Sequence, residues 1–322
     1  MPGAEPDPGS GKARTGGSAA GRRAAPAITR RHRIEAALLS LLLGGLCLLP
    51  YRWRVPLGGR LGRALLSVGT SRKRIGRNLQ LIFPDRSEAA RQAIGRAAAD
   101  NIGRVVIEVW SGMTFIRHAA AARLSGPGLA ALRAAHEAGR PVIFATAHFG
   151  NYYAVRIALA AQGMAHATIY KPLENPSLDA RYIRACNLAE GEMLAMGRRG
   201  LLRTREILRQ GGKLALLFDY ATPDQPTLPF LGQPTPTATS AADLALKHDA
   251  LLIPIYGTRQ PDGLSFRVEV EEPIPHGDPV EMTRALNASA TARIMAAPGQ
   301  WFWPLQRWKA LLAARRAASP RS

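Results

Sequence analysis

Beyond about residue 86, short apolar runs alternate with longer segments whose apolar residues recur at helical spacing. The run Pro141–Ala147 (PVIFATA) is largely apolar, as expected of a strand buried on both faces. Ser87 is a suitable cap for the first long helix. Further strands are predicted at 165–170, 213–219, 251–257 and 264–270, and helices at 87–113, 151–162, 176–190, 200–210 and 239–248. This alternation predicts an α/β fold, with a central mixed, mostly parallel sheet flanked by helices.

The first 54 residues have a different pattern. Residues 1–29 are rich in Gly, Ala, Pro, Ser and Arg, which predicts a disordered basic tail. An apolar run from Ile34 to Leu49 is interrupted only by Glu35 and closed by Pro50. Its uncharged part is shorter than the roughly 20 residues that span a bilayer. Residues 30–54 are therefore expected to form a hydrophobic helix, either a short uncleaved membrane anchor or a helix in the interface, with an ordinary buried helix as the remaining alternative.

The residues that follow favour a membrane. Tyr51 and Trp53 are placed as interfacial aromatic residues usually are. The next stretch has eight basic residues and no acidic one: Arg52, Arg54, Arg60, Arg63, Arg72, Lys73, Arg74 and Arg77. Such clusters are attracted to anionic lipid. Residues 55–310 are predicted to form the main domain, and residues 311–322 a basic C-terminal tail.

Composition narrows the class of partner. The chain has 322 residues, 47% hydrophobic, and a formal net charge of +20. This charge favours nucleic acid, an acidic membrane surface or an acidic protein. Nucleic acid is the less favoured of these, because the basic residues flank an apolar helix and do not line a recognition element. Two cysteines, Cys47 and Cys186, provide neither a disulfide scaffold nor a zinc site, and a reduced compartment is expected.

Candidate chemistry lies directly after the run at 141–147. His148 would stand at the C-terminal end of a buried strand, where α/β sheets present ligands. Gly150 allows close backbone approach, and Asn151 can cap the next helix, whose free N–H groups suit a phosphate or an oxyanion. From these residues alone, His148 is either a catalytic base or a packing residue. The sequence has no Gly-x-Ser-x-Gly elbow, P-loop, dinucleotide fingerprint or paired metal-ligand motif.

The segment His148-Phe149-Gly150-Asn151-Tyr152 resembles the signature of the bacterial lipid A biosynthesis (late) acyltransferases. Other segments are similar and fall in family order: Tyr170-Lys171-Pro172 with Asn175-Pro176, Gly197-Arg198-Arg199-Gly200, Asp219, Phe230-Leu231-Gly232 with Thr237 and Thr239, Leu252-Ile253-Pro254, Pro298–Trp303 and Arg307-Trp308-Lys309. The resemblance implies a glycerolipid acyltransferase-like fold at the cytoplasmic face of the inner membrane. It also implies acyl transfer from acyl carrier protein to a hydroxyl of a lipid A precursor or related lipid, with no metal or dissociable cofactor.

In that family a carboxylate five residues after the histidine completes the catalytic pair, but this chain has Tyr153 there. Two further departures are Tyr220, where the family usually has Gln, and Leu305, where a His is expected. We weigh three hypotheses. Asp219, at the end of another predicted strand, reaches His148 from the side and replaces the acid, or Tyr153 orients His148 and supports slow turnover. In the third, the chain is a catalytically impaired relative that binds lipid or carrier protein.

The resemblance also assigns substrate-binding roles. Lys171, Arg198 and Arg199 are expected to contact anionic groups, whereas a solvated helix entry is the alternative for the two arginines. Asn151, Asn175 and Thr239 are included on the family pattern. Three tryptophans near the C-terminus are expected to be core or interfacial anchors and not catalytic groups: Trp301, Trp303 and Trp308.

Overall fold

A computed structural model describes residues 28–318 of the chain. Its centre is a seven-stranded sheet in the order β1-β9-β8-β2-β5-β3-β4, in which only the β8–β9 pair is antiparallel. The strands are β1 (Arg123–Ser125), β2 (Val142–Thr146), β3 (Ala167–Tyr170), β4 (Met193–Ala195), β5 (Lys213–Leu217), β6 (Thr227–Phe230), β7 (Gln233–Pro236), β8 (Leu251–Arg259) and β9 (Phe266–Val270). Strands β6 and β7 form a separate hairpin. The predicted mixed, mostly parallel sheet is confirmed.

Helices cover both faces of this sheet. They are α1 (Arg30–Cys47), α2 (Tyr51–Leu66), α3 (Gly69–Ile82), α4 (Glu88–Trp110), α5 (Met113–Ala120), α6 (Leu129–Glu137), α7 (Tyr152–Ala160), α8 (Pro176–Cys186), α9 (Arg198–Arg209), α10 (Ser240–His248), α11 (Pro279–Ala296) and α12 (Lys309–Ala318), with a 3₁₀ turn at Pro298–Gln300. The five predicted helices correspond to α4, α7, α8, α9 and α10. Ser87 caps α4 as predicted, since its hydroxyl accepts from the Ala90 amide.

The hydrophobic core lies on the two faces of β2, whose five residues are all buried. Successive side chains alternate between the faces, so Val142 and Phe144 join one core cluster and Ile143 and Ala145 the other. Burial on both faces explains why this strand is continuously apolar in the sequence.

The N-terminal region differs from the single hydrophobic helix predicted for residues 30–54. Helix α1 ends at Cys47, and a second helix, α2, begins at Tyr51 with Pro50 at its N-cap. Among residues 28–318, no helix combines the length and the apolar content needed to cross a membrane. The spanning form of the predicted anchor therefore has no support here, because the uncharged part of α1 is too short. The disordered tail predicted for residues 1–29 lies almost wholly outside the described residues, while most of the predicted C-terminal tail belongs to α12.

Glycines allow α2 to lie against α4. A Cβ on Gly62 would come within 2.4 Å of the Ala99 carbonyl oxygen, and one on Gly103 within 2.1 Å of the Gly58 carbonyl oxygen. Real Cβ atoms do not approach other atoms so closely, and only glycine permits this contact. The contact places Arg63 of α2 beside Asp100 of α4.

Candidate active site

The geometry of the site follows from the register of two parallel neighbours. Strands β2 and β5 pair with Thr146 opposite Leu217. His148 and Asp219 each come two residues after those ends, so both leave the carboxyl edge of the sheet side by side. The Nδ1 atom of His148 lies 2.8 Å from Oδ1 of Asp219, and the backbone amide of His148 donates to Oδ2 at 2.9 Å. The contact considered from the sequence is therefore present in the fold.

Asp219 is fully buried and accepts from three donors. Besides the Nδ1 atom and the backbone amide of His148, the indole Nε1 of Trp301 donates to Oδ2 of Asp219 at 2.9 Å. Burial alone would raise the pKa of Asp219, but the charge of His148 and these hydrogen bonds outweigh it and hold the pKa below its usual value. An ionised Asp219 fixes the imidazole proton on Nδ1 and leaves Nε2 as an acceptor.

Tyr220 occupies the other side of the imidazole. Its hydroxyl donates to Nε2 of His148 over 3.0 Å, and the two rings meet edge to face with centroids 4.8 Å apart. Burial, followed by the charge of Asp219, raises the pKa of Tyr220 to about 12, so the phenol stays protonated at neutral pH. The side chain is 40% exposed. Tyr220 thus places its hydroxyl against Nε2 of His148 at the wall of a cavity.

Tyr153 has different neighbours from those expected of a catalytic acid. Its hydroxyl lies 2.7 Å from the hydroxyl of Tyr182 and accepts from that of Tyr152 at 3.1 Å. No hydrogen bond joins it to His148 in the described part of the chain. Burial and the surrounding phenols raise the pKa of Tyr153 well above its usual value. It is a neutral member of a tyrosine cluster, and this geometry gives no support to the hypothesis that Tyr153 orients the histidine.

Asn151 is fully buried and holds the start of α7 in place. Its side-chain oxygen caps α7 by accepting from the amides of Tyr153 and Ala154, and its Nδ2 donates to Glu108 at 2.7 Å. Glu108 is fully buried and pairs with both terminal guanidinium nitrogens of Arg259. This buried network links α4, α7 and β8 beneath the site. Neither Glu108 nor Arg259 is predicted as a site residue from the sequence, and no local pattern marks them.

Gly150 is required by the same packing. Its φ of +57° is left-handed, and a Cβ there would lie 1.9 Å from the carbonyl oxygen of Gly257. Only glycine meets both conditions. The backbone after His148 is thereby held against β8, which fixes the turn that presents the imidazole.

Of the remaining predicted residues, only Lys171 lines the cavity that contains His148, and Asn175, Arg198, Arg199 and Thr239 do not. The side chain of Lys171 is exposed. Asn175 instead caps α8 and donates to the carbonyl of His32 and to Glu35 on α1. Arg198 and Arg199 begin α9 as exposed side chains and do not line that cavity. The Thr239 hydroxyl donates to Asp243 at 2.8 Å.

Two cavities meet at His148. The larger, of about 570 Å³, extends between β2, β3 and β5 and the loop after β5. The smaller, of about 150 Å³, runs along the apolar C-terminal half of α4. His148, Tyr152, Tyr153 and Tyr182 line both. The histidine therefore stands at the junction of two spaces, which suits a reaction between two bound molecules.

The three C-terminal tryptophans are buried, with Trp301 and Trp303 at 0% exposure and Trp308 at 1%. Trp301 and Trp308 pack against Phe230 in the core, and Trp303 packs against Trp301, as expected. Trp301 has a further role that the sequence did not indicate, because its indole is a donor to Asp219. Leu305, at the position of the expected histidine, is buried in the same cluster. Among residues 28–318, no group of three His, Cys, Asp or Glu side chains is placed to hold a metal ion.

The family model for bacterial lipid A biosynthesis acyltransferases matches residues 27–310. The chain belongs to this family. The match covers most of the chain, including every element from α1 to the C-terminal tryptophans. No curated protein sequence matches the chain. The family implies an acyltransferase of lipid A biosynthesis in general terms, and the resemblance seen in the sequence is confirmed.

Proposed function

We propose that this protein transfers a fatty acyl chain from acyl carrier protein to a hydroxyl of a lipid A precursor or related lipid. The observation that carries the proposal is the contact between Asp219 and His148 at the junction of two cavities. It supplies a carboxylate partner to the base although Tyr153 stands at the family's usual acid position. The carrier thioester is the acyl donor, and no metal or dissociable cofactor takes part.

In the proposed reaction, Nε2 of His148 takes the proton of the acceptor hydroxyl. The resulting oxygen nucleophile attacks the thioester carbonyl, a C–O bond forms, and the C–S bond breaks as the tetrahedral intermediate collapses. The leaving thiolate takes the proton back from His148, so the enzyme ends in its starting state. Asp219 stays ionised and stabilises the imidazolium between these two steps.

The binding of the acceptor requires Tyr220 to leave Nε2, because both hydroxyls need the same lone pair. The 40% exposure of Tyr220 and its place at the cavity wall permit this exchange. In the larger cavity, Ile169, Leu216 and Phe218 provide an apolar wall for an acyl chain, and Lys171 provides a cation for an anionic group.

Charge supports the proposed partners. Carrier proteins of this type are acidic, and a protein of net charge +20 would attract them over long range. The same charge favours the anionic cytoplasmic leaflet of the inner membrane. Several apolar side chains of the N-terminal helices are exposed: Leu38, Leu41, Leu42, Leu48, Trp53, Leu65 and Val68. We therefore propose that α1 and α2 lie in the interface, at the cytoplasmic face of the inner membrane.

Vesicle sedimentation tests this location. The double variant Leu41→Glu/Leu42→Glu should lose most of its binding to vesicles that contain anionic phospholipid, because two charges would enter the apolar contact. Leu202→Glu is the matched control, since Leu202 is 54% exposed but lies on α9. Equal binding by the N-terminal variant and the wild type would contradict the interfacial placement.

An acyl-transfer assay tests the function. Purified full-length protein is given acyl carrier protein loaded with several chain lengths and extracted lipid acceptors. We expect turnover by the wild type and none by His148→Ala. A silent wild type that gains activity as Tyr153→Asp would contradict the proposed role of Asp219 and favour a protein that binds lipid or carrier without transfer.

A further inference from the structure

Helix α4 changes character along its length. Its middle turns present Arg96, Asp100 and Arg104 to one cavity, whereas its last turns present Val105, Val106, Val109 and Trp110 to another. At 1.5 Å per residue, the distance from Arg96 to Val109 is roughly 20 Å along the helix axis. A ligand lying along this helix would meet cations at one end and apolar side chains at the other.

The cavity at the basic end has a volume of about 810 Å³. It lies between α2, α4, the turn after β8 and the 3₁₀ turn at Pro298–Gln300. Four guanidinium groups line it, against a single carboxylate, that of Asp100. These arginines come from three separate elements, which the glycine-mediated contact of α2 with α4 brings together: Arg63, Arg96, Arg104 and Arg259.

The existing ion pairs leave this cavity with excess positive charge. Arg63 and Arg104 share Asp100, and Arg259 is committed to the buried Glu108. Arg96 is exposed and forms no ion pair among residues 28–318. Guanidinium groups that converge from several directions match the oxygen atoms of a phosphate better than a single point charge does. The cavity thus has the chemistry of a phosphate site.

The basic cavity also continues toward the candidate active site. Asn101 and Gln300 line both it and the small apolar cavity, and His148 also lines the latter. A phosphate held by the arginines would therefore place the rest of the same molecule along the valines of α4. A hydroxyl on that molecule could then reach the imidazole.

We propose that the arginine-lined cavity binds a phosphate group of the lipid acceptor and so positions its hydroxyl at His148. This inference rests on the proposed function for the identity of the acceptor as a lipid. The binding step itself needs neither the acyl donor nor the imidazole. The site is distinct from Lys171, Arg198 and Arg199, to which the sequence had assigned contacts with anions.

Direct binding measurements on the full chain test the proposal without any acyl transfer. The probes are a phosphorylated, acylated glucosamine disaccharide in detergent micelles and the same lipid after phosphatase treatment. Wild type should bind the phosphorylated lipid more tightly. The double variant Arg63→Ala/Arg96→Ala should weaken that binding by about tenfold or more, because charged hydrogen bonds are lost, and leave the phosphatase-treated lipid unaffected.

Matched variants separate the site from general charge effects. Arg133→Ala removes an exposed arginine from α6, away from the cavity, and should change neither affinity. Arg96→Lys should retain part of the preference for the phosphorylated lipid. Equal affinity of wild type for the two lipids, or an equal loss of both in the double variant, would overturn the proposal. Loss of carrier-protein binding in that variant, with lipid binding intact, would overturn it in favour of a carrier site.

Acyl-transfer rates measured beside these affinities keep the two proposals distinguishable. A protein that binds the phosphorylated lipid selectively but never transfers an acyl chain would retain the phosphate site and lose the enzymatic function. Acyl transfer to both the phosphorylated and the phosphatase-treated lipid, bound with equal affinity, would retain the enzymatic function and overturn the phosphate site.

Discussion

Two fully buried carboxylates lie close to the same turn, and they differ in what their partners have left to offer. Glu108 accepts hydrogen bonds from Arg259 and Asn151, and the Arg259 guanidinium also donates to Asn101 and to the Gly263 carbonyl. Asp219 is held by His148 and Trp301, and the histidine keeps one ring nitrogen directed at a cavity. Burial of the carboxylate therefore does not distinguish the structural pair of Glu108 from the candidate catalytic pair of Asp219. The second pair is a candidate for catalysis because Nε2 of His148 is hydrogen-bonded to the hydroxyl of Tyr220 at the wall of a cavity, where a bound molecule could replace that hydroxyl.

The largest effect on stability should come from breaking the buried ion pair of Glu108 with Arg259. Glu108→Ala leaves the Arg259 guanidinium buried without its anion, at a cost of about 3–5 kcal/mol in the free energy of unfolding. Glu281→Ala, which removes an exposed partner of Arg284, should cost less than about 1 kcal/mol. Urea unfolding measures both. Similar small losses in the two variants would mean that the network of Glu108 does not hold the turn.

Two histidines extend the comparison, because His148 is paired with Asp219, whereas His166 is buried without an acidic partner among residues 28–318. Burial, with Arg156 as the second cause, lowers the pKa of His166 from 6.5 to about 3. The unfolded chain therefore binds a proton that the folded chain refuses. Stability from this group is full above pH 6.5 and falls by about 1.4 kcal/mol per pH unit down to about pH 3.

Replacing His166 removes this pH dependence. His166→Gln should unfold with a pH slope between pH 6 and 4 that is smaller by nearly one proton than that of the wild type. Chemical denaturation at several pH values measures the slope. His136→Gln, at a half-buried histidine on α6, serves as the control. An unchanged slope in His166→Gln would contradict a neutral buried imidazole.

The smallest effect should come from removing the hydroxyl that is hydrogen-bonded to Nε2 of His148. Tyr220→Phe removes the hydroxyl that competes with the acceptor for Nε2 of His148, and one hydrogen bond of about 1 kcal/mol corresponds to roughly fivefold. We expect the KM for the lipid acceptor to fall by about that factor with kcat little changed. A fall in kcat without a change in KM would instead give Tyr220 a role in the chemical step.

Much of this arrangement could be predicted from the sequence, and the reasons differ by element. The strand before His148 is apolar because both its faces are buried, and this pattern is visible without any structure. Asp219 could be placed beside it because parallel neighbours end at one edge. The strands Arg123–Ser125 and Met193–Ala195 are too short to show a pattern of their own. Helix α11 was missed because its many small residues dilute the periodicity, although Asp278 followed by Pro279 is a start signal that could have found it.

Other features depend on contacts that no local pattern encodes. The indole of Trp301 reaches Asp219 across 82 positions in the chain, and Arg259 reaches Glu108 across 151. The arginine-lined cavity depends on how closely α2 lies against α4. That distance is set by glycines whose partners are known only once the helices are placed.

The central claim is that Asp219 is the carboxylate partner of His148 in an acyltransferase. Its most direct test is the acyl-transfer rate of Asp219→Asn beside that of Asp179→Asn, whose carboxylate contacts Tyr170 and Leu173 at the wall of the same cavity. By analogy with the acid of a serine-protease triad, we predict a loss of about 10⁴-fold in kcat for Asp219→Asn, with the fold retained by circular dichroism. Asp179→Asn should remain within a few fold of the wild type. An Asp219→Asn protein that is folded and as active as the wild type would contradict the account.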